Sequence, residues 1–227
     1  MNVAARLPVV VLISGTGSNL QAIAERAAAG DLPIEIRAVV SDRPEAAGLA
    51  WAASRGLRTA VLRPADFADR VAYDRALARL VESFEPGLVV LAGYMRVLDA
   101  EFVDRFAGRM LNIHPSLLPR HRGLHTHRRV LEAREQEHGA SVHFVTRELD
   151  GGPVVLQASV RVRPDDDEVS LAKRVLTQEH RIYPQCISWF ATGRLQYHDD
   201  TAWLDGRPLD TPIRMEARDD KAEVVLA

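Results

Sequence analysis

Asn112, His114 and Asp150 are the residues of this chain whose types and spacing could do chemistry together. The first two stand in Leu111-Asn112-Ile113-His114-Pro115-Ser116-Leu117-Leu118-Pro119, and the acid stands in Glu148-Leu149-Asp150-Gly151-Gly152-Pro153. On an extended strand, residues two apart point to one face. An amide and an imidazole on that face would give two donors to a single developing oxyanion. A carboxylate beside the imidazole would fix its orientation and favour its protonated form. This combination suits acyl transfer to an amine, and no Ser or Cys nucleophile is needed when the amine belongs to the substrate. The bland readings are a satisfied core histidine and an Asp-Gly turn pair. Asn112 on the same face as His114, with Pro115 directly after, weighs against them. His121, His125, His127, His138 and His143 invite a metal reading. Histidines two apart on a helix do not share a face, so 125 and 127 make a poor zinc set and no metal is expected.

Such residues need a scaffold, and the first half of the chain alternates strand and helix. Val9 to Ile13 and Gly87 to Leu91 are continuous apolar runs, as in parallel strands buried on both faces. Ile34 to Val40 and Thr59 to Leu62 read as further strands. Leu20 to Ala29, Pro44 to Ser54 and a long amphipathic Asp66 to Phe84 read as helices, the first two stopped by Gly30 and Gly56. In the second half, Arg109 to His114 is a strand entering a Pro-bracketed loop, and Leu124 to Arg134 is helical. Ala140 to Val145 and Val154 to Val162 are strands flanking the Asp150 loop. Asp166 to Ala191 is a long helix with a bend expected at Pro184. Tyr197 to Leu209 reads as a hairpin turning at Asp205-Gly206. The expected fold is α/β, a single-domain doubly wound and mostly parallel sheet with a C-terminal antiparallel extension. The domain is expected over 1–209, a phosphate-binding half at about 1–100 and a catalytic half at about 101–209, with 210–227 a polar, loosely held tail. Ligands of open α/β sheets bind beyond the carboxyl ends of strands, where Ser14 to Asn19, Tyr94 to Leu98 and His114 all fall.

Ser14-Gly15-Thr16-Gly17-Ser18-Asn19-Leu20 joins the first strand to the first helix. Glycines permit a tight turn with exposed N–H groups, and a helix N-terminus favours an anion. Leu20 replaces the third glycine of the dinucleotide fingerprint, and no Gly-Lys-Ser/Thr follows, so a phosphomonoester fits better than a diphosphate. The plain alternative is a tight turn in which Ser18 is an ordinary N-cap.

The bulk numbers bound the partners. A 227-residue chain that is 47% apolar has enough material for a real core, and its net charge of −2 advertises neither nucleic acid nor a membrane surface. Lys173 and Lys221 are the only lysines, an arginine bias that reads as coding composition. Cys186 is the sole cysteine, so neither an intrachain disulfide nor a cysteine zinc site exists, and a cytoplasmic setting fits. The start faintly mimics a signal peptide, but its apolar run is short and reads better as a buried first strand. No apolar stretch is long enough to span a bilayer.

Several segments in order resemble the phosphoribosylglycinamide formyltransferases: Val10 to Ile23, Leu91 to Arg96, Leu111 to Pro119, Gly123 to His127, Ser141 to Val145 through Asp150 to Pro153, and Gln178 to Pro184. The resemblance runs from about Val9 to Leu204. It implies a Rossmann-like formyltransferase fold and transfer of a formyl group from 10-formyltetrahydrofolate to the amine of 5-phosphoribosylglycinamide. This is the third step of de novo purine synthesis. It further implies that Gly17, Ser18 and Asn19 hold the substrate phosphate and that Glu179 faces the same ribonucleotide. Arg70, Met95, Arg96, Val97 and Leu98, with Asn112, would line the folate pocket, and Asn112, His114 and Asp150 would be catalytic. Partners would be these small molecules, with no nucleic acid, no membrane, and a monomer or weak homodimer. The chain departs from the family at Thr16, at Leu176, where some relatives are polar, and at His121-Arg122, of which Arg122 resembles the methionyl-tRNA formyltransferase. That enzyme would want a basic RNA-binding C-terminus, which is not seen. The alternatives are a formyltetrahydrofolate deformylase, which should not need the phosphate loop and usually has an extra N-terminal domain, and a non-catalytic folate- or nucleotide-binding module.

Overall fold

Val9 to Ile13 are fully buried in the strand Leu7–Ile13 (β1). A strand apolar on both faces needs cover above and below, and full burial of each such side chain stabilises by roughly 1.5–3 kcal/mol. In this computed structural model, which describes residues 6–216, that cover comes from helices alternating with parallel strands. The chain divides into two compact units between Asn112 and Ile113.

The first unit continues through Ser18–Ala29 (α1), Ile34–Ser41 (β2), Ala47–Ser54 (α2), Thr59–Val61 (β3), Arg70–Glu82 (α3), Leu88–Leu91 (β4), Ala100–Arg105 (α4) and the start of Met110–His114 (β5). Its strands lie in the order β5-β4-β1-β2-β3, every neighbouring pair parallel. α1 ends at Gly30 with φ 85°, as a left-handed C-terminal glycine requires. The single helix expected over Asp66 to Phe84 is broken. Pro64–Asp66 is a 3-10 turn and Phe67 is extended, while Asp69 caps α3 by accepting from the Ala72 N–H at 2.8 Å. A short capping carboxylate competes well with a further helical turn. Helix α4 went unread because six residues give too little periodicity. Asp99 caps it, and Arg75–Glu101 and Arg105–Glu82 ion pairs tie it to α3, so this unit extends past residue 100 to Asn112.

The second unit contains the end of β5, Thr126–Glu132 (α5), Glu137–Phe144 (β6), Val154–Arg161 (β7) and Glu168–Ala191 (α6). Leu195–His198 (β8), Thr201–Leu204 (β9), Arg207–Pro208 (β10) and Ile213–Glu216 (β11) follow. β6 and β7 pair antiparallel. Helix α6 opens with a capping box between Asp167 and Ser170 and carries Pro184 inside without interruption. The expected C-terminal hairpin is a three-stranded antiparallel sheet, β10-β9-β8. Asp205-Gly206, with φ 51° and 77°, turns one connection as expected. Asp199-Asp200, at φ 47° and 56°, turns the other in the same primed manner. The expectation of a loosely held tail fails for Ile213–Glu216, which pairs in parallel with Leu156 to Ser159 of β7, because an unpaired strand edge offers it backbone partners. The rest of that tail, 217–227, lies outside the described residues.

Candidate active site

Asn112 and His114 occupy alternate positions of β5, as the extended reading required. Beyond them the chain turns at the cis peptide Leu118–Pro119 and reaches His121, whose φ of 52° aims its carbonyl back toward the strand. His114 Nε2 lies 3.0 Å from that carbonyl oxygen, and a carbonyl can only accept, so Nε2 carries the hydrogen. The other ring nitrogen, Nδ1, lies 3.5 Å from Asp150 Oδ2, an ion-pair distance. The two ring nitrogens thus face a backbone carbonyl on one side and a carboxylate on the other. The side chains of His114 and Asp150 are each 8% exposed, so little water competes for their contacts.

Asp150 has φ 49°, a left-handed conformation that Asp and Asn tolerate better than other side chains. It accepts from the Gly123 N–H at 2.9 Å through the same Oδ2 that faces His114. Gly152 follows so closely on the strand end that a Cβ there would lie 2.0 Å from the Phe144 carbonyl oxygen. His143 Nε2 stands 3.7 Å from Asp150 Oδ1. Burial, the dominant cause, pushes the His143 ring down to about 4, and its Nδ1–H donates to the Phe144 carbonyl at 2.8 Å. A neutral ring with hydrogen on Nδ1 turns a lone pair toward the carboxylate, so His143 does not compete with His114 for it. The sequence reading missed His143, the His121 carbonyl and the Gly123 N–H as partners. Two of these are backbone groups, and backbone groups leave no mark in residue types.

The other histidines do not form a metal set: no group able to hold a metal ion is found among the described residues. His121 pairs with Glu135 at 2.7 Å, and His127 Nδ1 meets His138 Nε2 at 2.9 Å. Burial, the larger cause, and the neighbouring histidines push His138 down to about 3.

In the first unit, Gly17 is the N-cap of α1, left-handed at φ 72° and without a side-chain cap, so Ser18 is the first helical residue and not the capping one. The leading N–H groups of α1 therefore point outward with no capping side chain, as an anion would need. A Cβ on Gly17 would stand 2.8 Å from the Cα of Gly48, so the turn depends on glycine both for its dihedral and for this close approach to α2. Ser14 Oγ donates to Asp42 at 2.6 Å and accepts from the Met95 N–H at 2.9 Å, joining the loop after β1 to the loop after β4. The sequence reading assigned no role to Ser14.

The loop after β4 presents Met95 and Val97 at 60% and 51% exposure. Arg70, at the start of α3, donates to the Val97 carbonyl at 2.7 Å and pairs with buried Asp74 at 3.3 Å. Arg96 lies over the Tyr73 ring at 4.8 Å, and its Nε is buried without a hydrogen-bond partner among the described residues. Leu98 is half-buried beside them in sequence. Exposed apolar side chains beside a cationic edge and an orphaned donor could give a ligand both apolar contact and polar anchoring. Glu179 is buried on α6.

The formyl transferase family model matches residues 7–187. A phosphoribosylglycinamide formyltransferase of Escherichia coli (strain K12) is 54% identical over 201 residues, which cover 88% of this chain and 95% of that protein. Among solved structures, the phosphoribosylglycinamide formyltransferase (purN) of Coxiella burnetii in complex with CHES is 49% identical at a TM-score of 0.86, covering 90% of this chain and 96% of that one. Glycinamide ribonucleotide transformylase 1 of Symbiobacterium toebii is 42% identical, also at 0.86, covering 88% and 95%. Its mostly parallel Rossmann-like sheet, a family model matched across four-fifths of its length and a relative identical at more than half of the aligned positions place this chain in the formyl transferase family.

Proposed function

We propose that this chain transfers the formyl group of 10-formyltetrahydrofolate to the amine of 5-phosphoribosylglycinamide, in the cytoplasm and without a metal. The observation that carries the reading is His114 held between a carboxylate and a loop carbonyl on the strand that also bears Asn112. As the amine attacks, Asn112 donates to the developing oxygen, and His114 Nε2 exchanges the His121 carbonyl for that oxygen as a charge-assisted donor. Asp150 keeps the ring oriented through Nδ1. The proton lost by the amine passes to the departing folate nitrogen through His114 or water. Gly17, Ser18 and Asn19 take the phosphate with their backbone N–H groups, and Glu179 contacts the same ribonucleotide. Met95, Val97 and Leu98 give the folate an apolar bed, with Arg70 and Arg96 at its polar edges.

The test is a spectrophotometric assay of folate product release with and without glycinamide ribonucleotide. Release only with the ribonucleotide is the expected result. Release without it makes the chain a deformylase, and binding of folate with no release makes it a binding module.

A further inference from the structure

The second unit contains a cavity of about 920 Å³ that touches neither His114 nor Asp150. It is lined at the far end of β7 by Arg134, Arg161, Arg163 and Arg174, with Glu135 and Asp166 as its acids. β7 begins just after the Asp150 loop and ends at Arg161, a separation of roughly 23 Å along the strand at 3.3 Å per residue.

The charges in this cavity are not balanced. Asp166 is committed to Arg174, accepting from Nη1 and Nη2 at 2.5 Å, and it also accepts from the Arg163 N–H at 2.7 Å and from Ser170 Oγ at 3.1 Å. These bonds hold the Asp166 carboxyl well below the usual range, so it stays an anion bound to its partners. Glu135 is likewise taken by His121 and Arg120. The guanidinium groups of Arg134, Arg161 and Arg163 are left exposed without an ion-pair partner among the described residues.

The framework around them is built. Arg174 Nη2 also donates to the Arg161 carbonyl at 3.0 Å, and Val162 N–H donates to Gln136 O at 2.9 Å, so the peptide group that follows Arg161 is tied down at both its oxygen and its nitrogen. Arg161 ends β7 and Arg163 follows two residues on, and both line the cavity. Gln178, buried on α6, lines the same cavity; its oxygen accepts from Arg181 at 3.1 Å, which leaves its NH₂ end as a donor. Planar guanidinium groups match phosphoryl oxygens in paired hydrogen bonds, and several together suit an anion carrying more than one phosphoryl group. A volume near the upper end of small-ligand pockets exceeds what inorganic phosphate would fill.

We infer that this cavity is a second ligand site, separate from the candidate catalytic residues, for a nucleotide-sized anion with two or more phosphoryl groups, held by Arg134, Arg161 and Arg163. The occupant is either a nucleoside triphosphate or a bare polyphosphate, since both offer the chemistry that the arginines recognise.

Isothermal titration of the full chain at 150 mM salt with ATP, inorganic triphosphate and inorganic phosphate tests it. The expected result is saturable 1:1 binding of ATP or triphosphate, at least about tenfold tighter than phosphate, because a single phosphoryl group engages fewer guanidiniums. ATP binding more tightly than triphosphate would identify a nucleotide site, and equal binding a polyphosphate site. Arg161→Gln/Arg163→Gln should weaken binding about tenfold or more while formyl transfer is unchanged, and Arg163→Gln alone gives the same reading if the pair impairs folding. Glycinamide ribonucleotide should not displace the anion. Absence of saturable binding, full binding by the folded variants, or displacement by the ribonucleotide would each overturn the inference.

Discussion

Asp150→Asn isolates the charge of the carboxylate from its shape. Asn tolerates the left-handed backbone at φ 49°, so the substitution adds little strain. In the native chain one oxygen, Oδ2, both accepts the Gly123 N–H at 2.9 Å and faces His114 Nδ1 at 3.5 Å. An amide has one acceptor end. With its oxygen in the place of Oδ2 it offers the ring a neutral acceptor at best, and reversed it turns an NH₂ toward both groups. The gross attraction of two unit charges 3.5 Å apart is about 5 kcal/mol at an effective dielectric of 20. The net worth of a hydrogen bond to a charged group is smaller, about 1.5–3 kcal/mol. At 1.36 kcal/mol per tenfold in rate, the loss corresponds to a kcat lower by about 10- to 150-fold. The assay is steady-state formyl transfer with both substrates varied, with thermal melting to confirm the fold. KM for the ribonucleotide should stay within about threefold, because the carboxylate acts through His114. Glu148→Gln is the control: it removes a charge two residues away whose partner is the exposed guanidinium of Arg122, and it should change kcat by no more than about threefold. A kcat for Asp150→Asn within threefold of the native chain, or a loss confined to KM, would refute the assignment of Asp150 as the group that positions His114.

Asn112→Ala should lower kcat by ~100- to 1000-fold with the fold intact, the usual cost of one oxyanion donor, and turnover near the native level would remove Asn112 from the mechanism. Gly17→Ala forces a side chain into a left-handed turn and against Gly48, so melting should drop by several degrees and KM for the ribonucleotide should rise. Gly15→Ala meets nothing within 4 Å and should melt within about two degrees of the native chain; equal effects at both positions would refute the close-approach reading. His138 titrates near 3 when folded and near 6.5 when unfolded, so between those values the unfolded chain binds the extra proton and stability falls as pH falls. In urea unfolding from pH 7 to 5.5, the native chain should lose about 1 kcal/mol more than His138→Gln, whereas parallel pH curves would show that burial of His138 carries no such linkage.

Much of this was legible in the residues. Fully apolar five-residue runs such as Val9 to Ile13 can be satisfied only by cover on both faces, which dictated parallel strands and intervening helices. The spacing of Asn112 and His114 placed them on one face of a strand because strand geometry repeats every two residues. Asp205-Gly206 marked its turn because few residue pairs tolerate two positive φ angles. Local chemistry could not decide the rest. Helix α4 and strand β11 are too short to announce themselves and exist through what they pack or pair with, α3 in one case and β7 in the other. That Gly17 and not Ser18 caps α1 goes with the close approach of Gly48, thirty-one positions away. The partners of His114 were half visible. The sequence alone named Asp150, because a carboxylate is a residue type; the His121 carbonyl and the Gly123 N–H had to wait for the tertiary structure, because every residue has a backbone and only the fold says where it points.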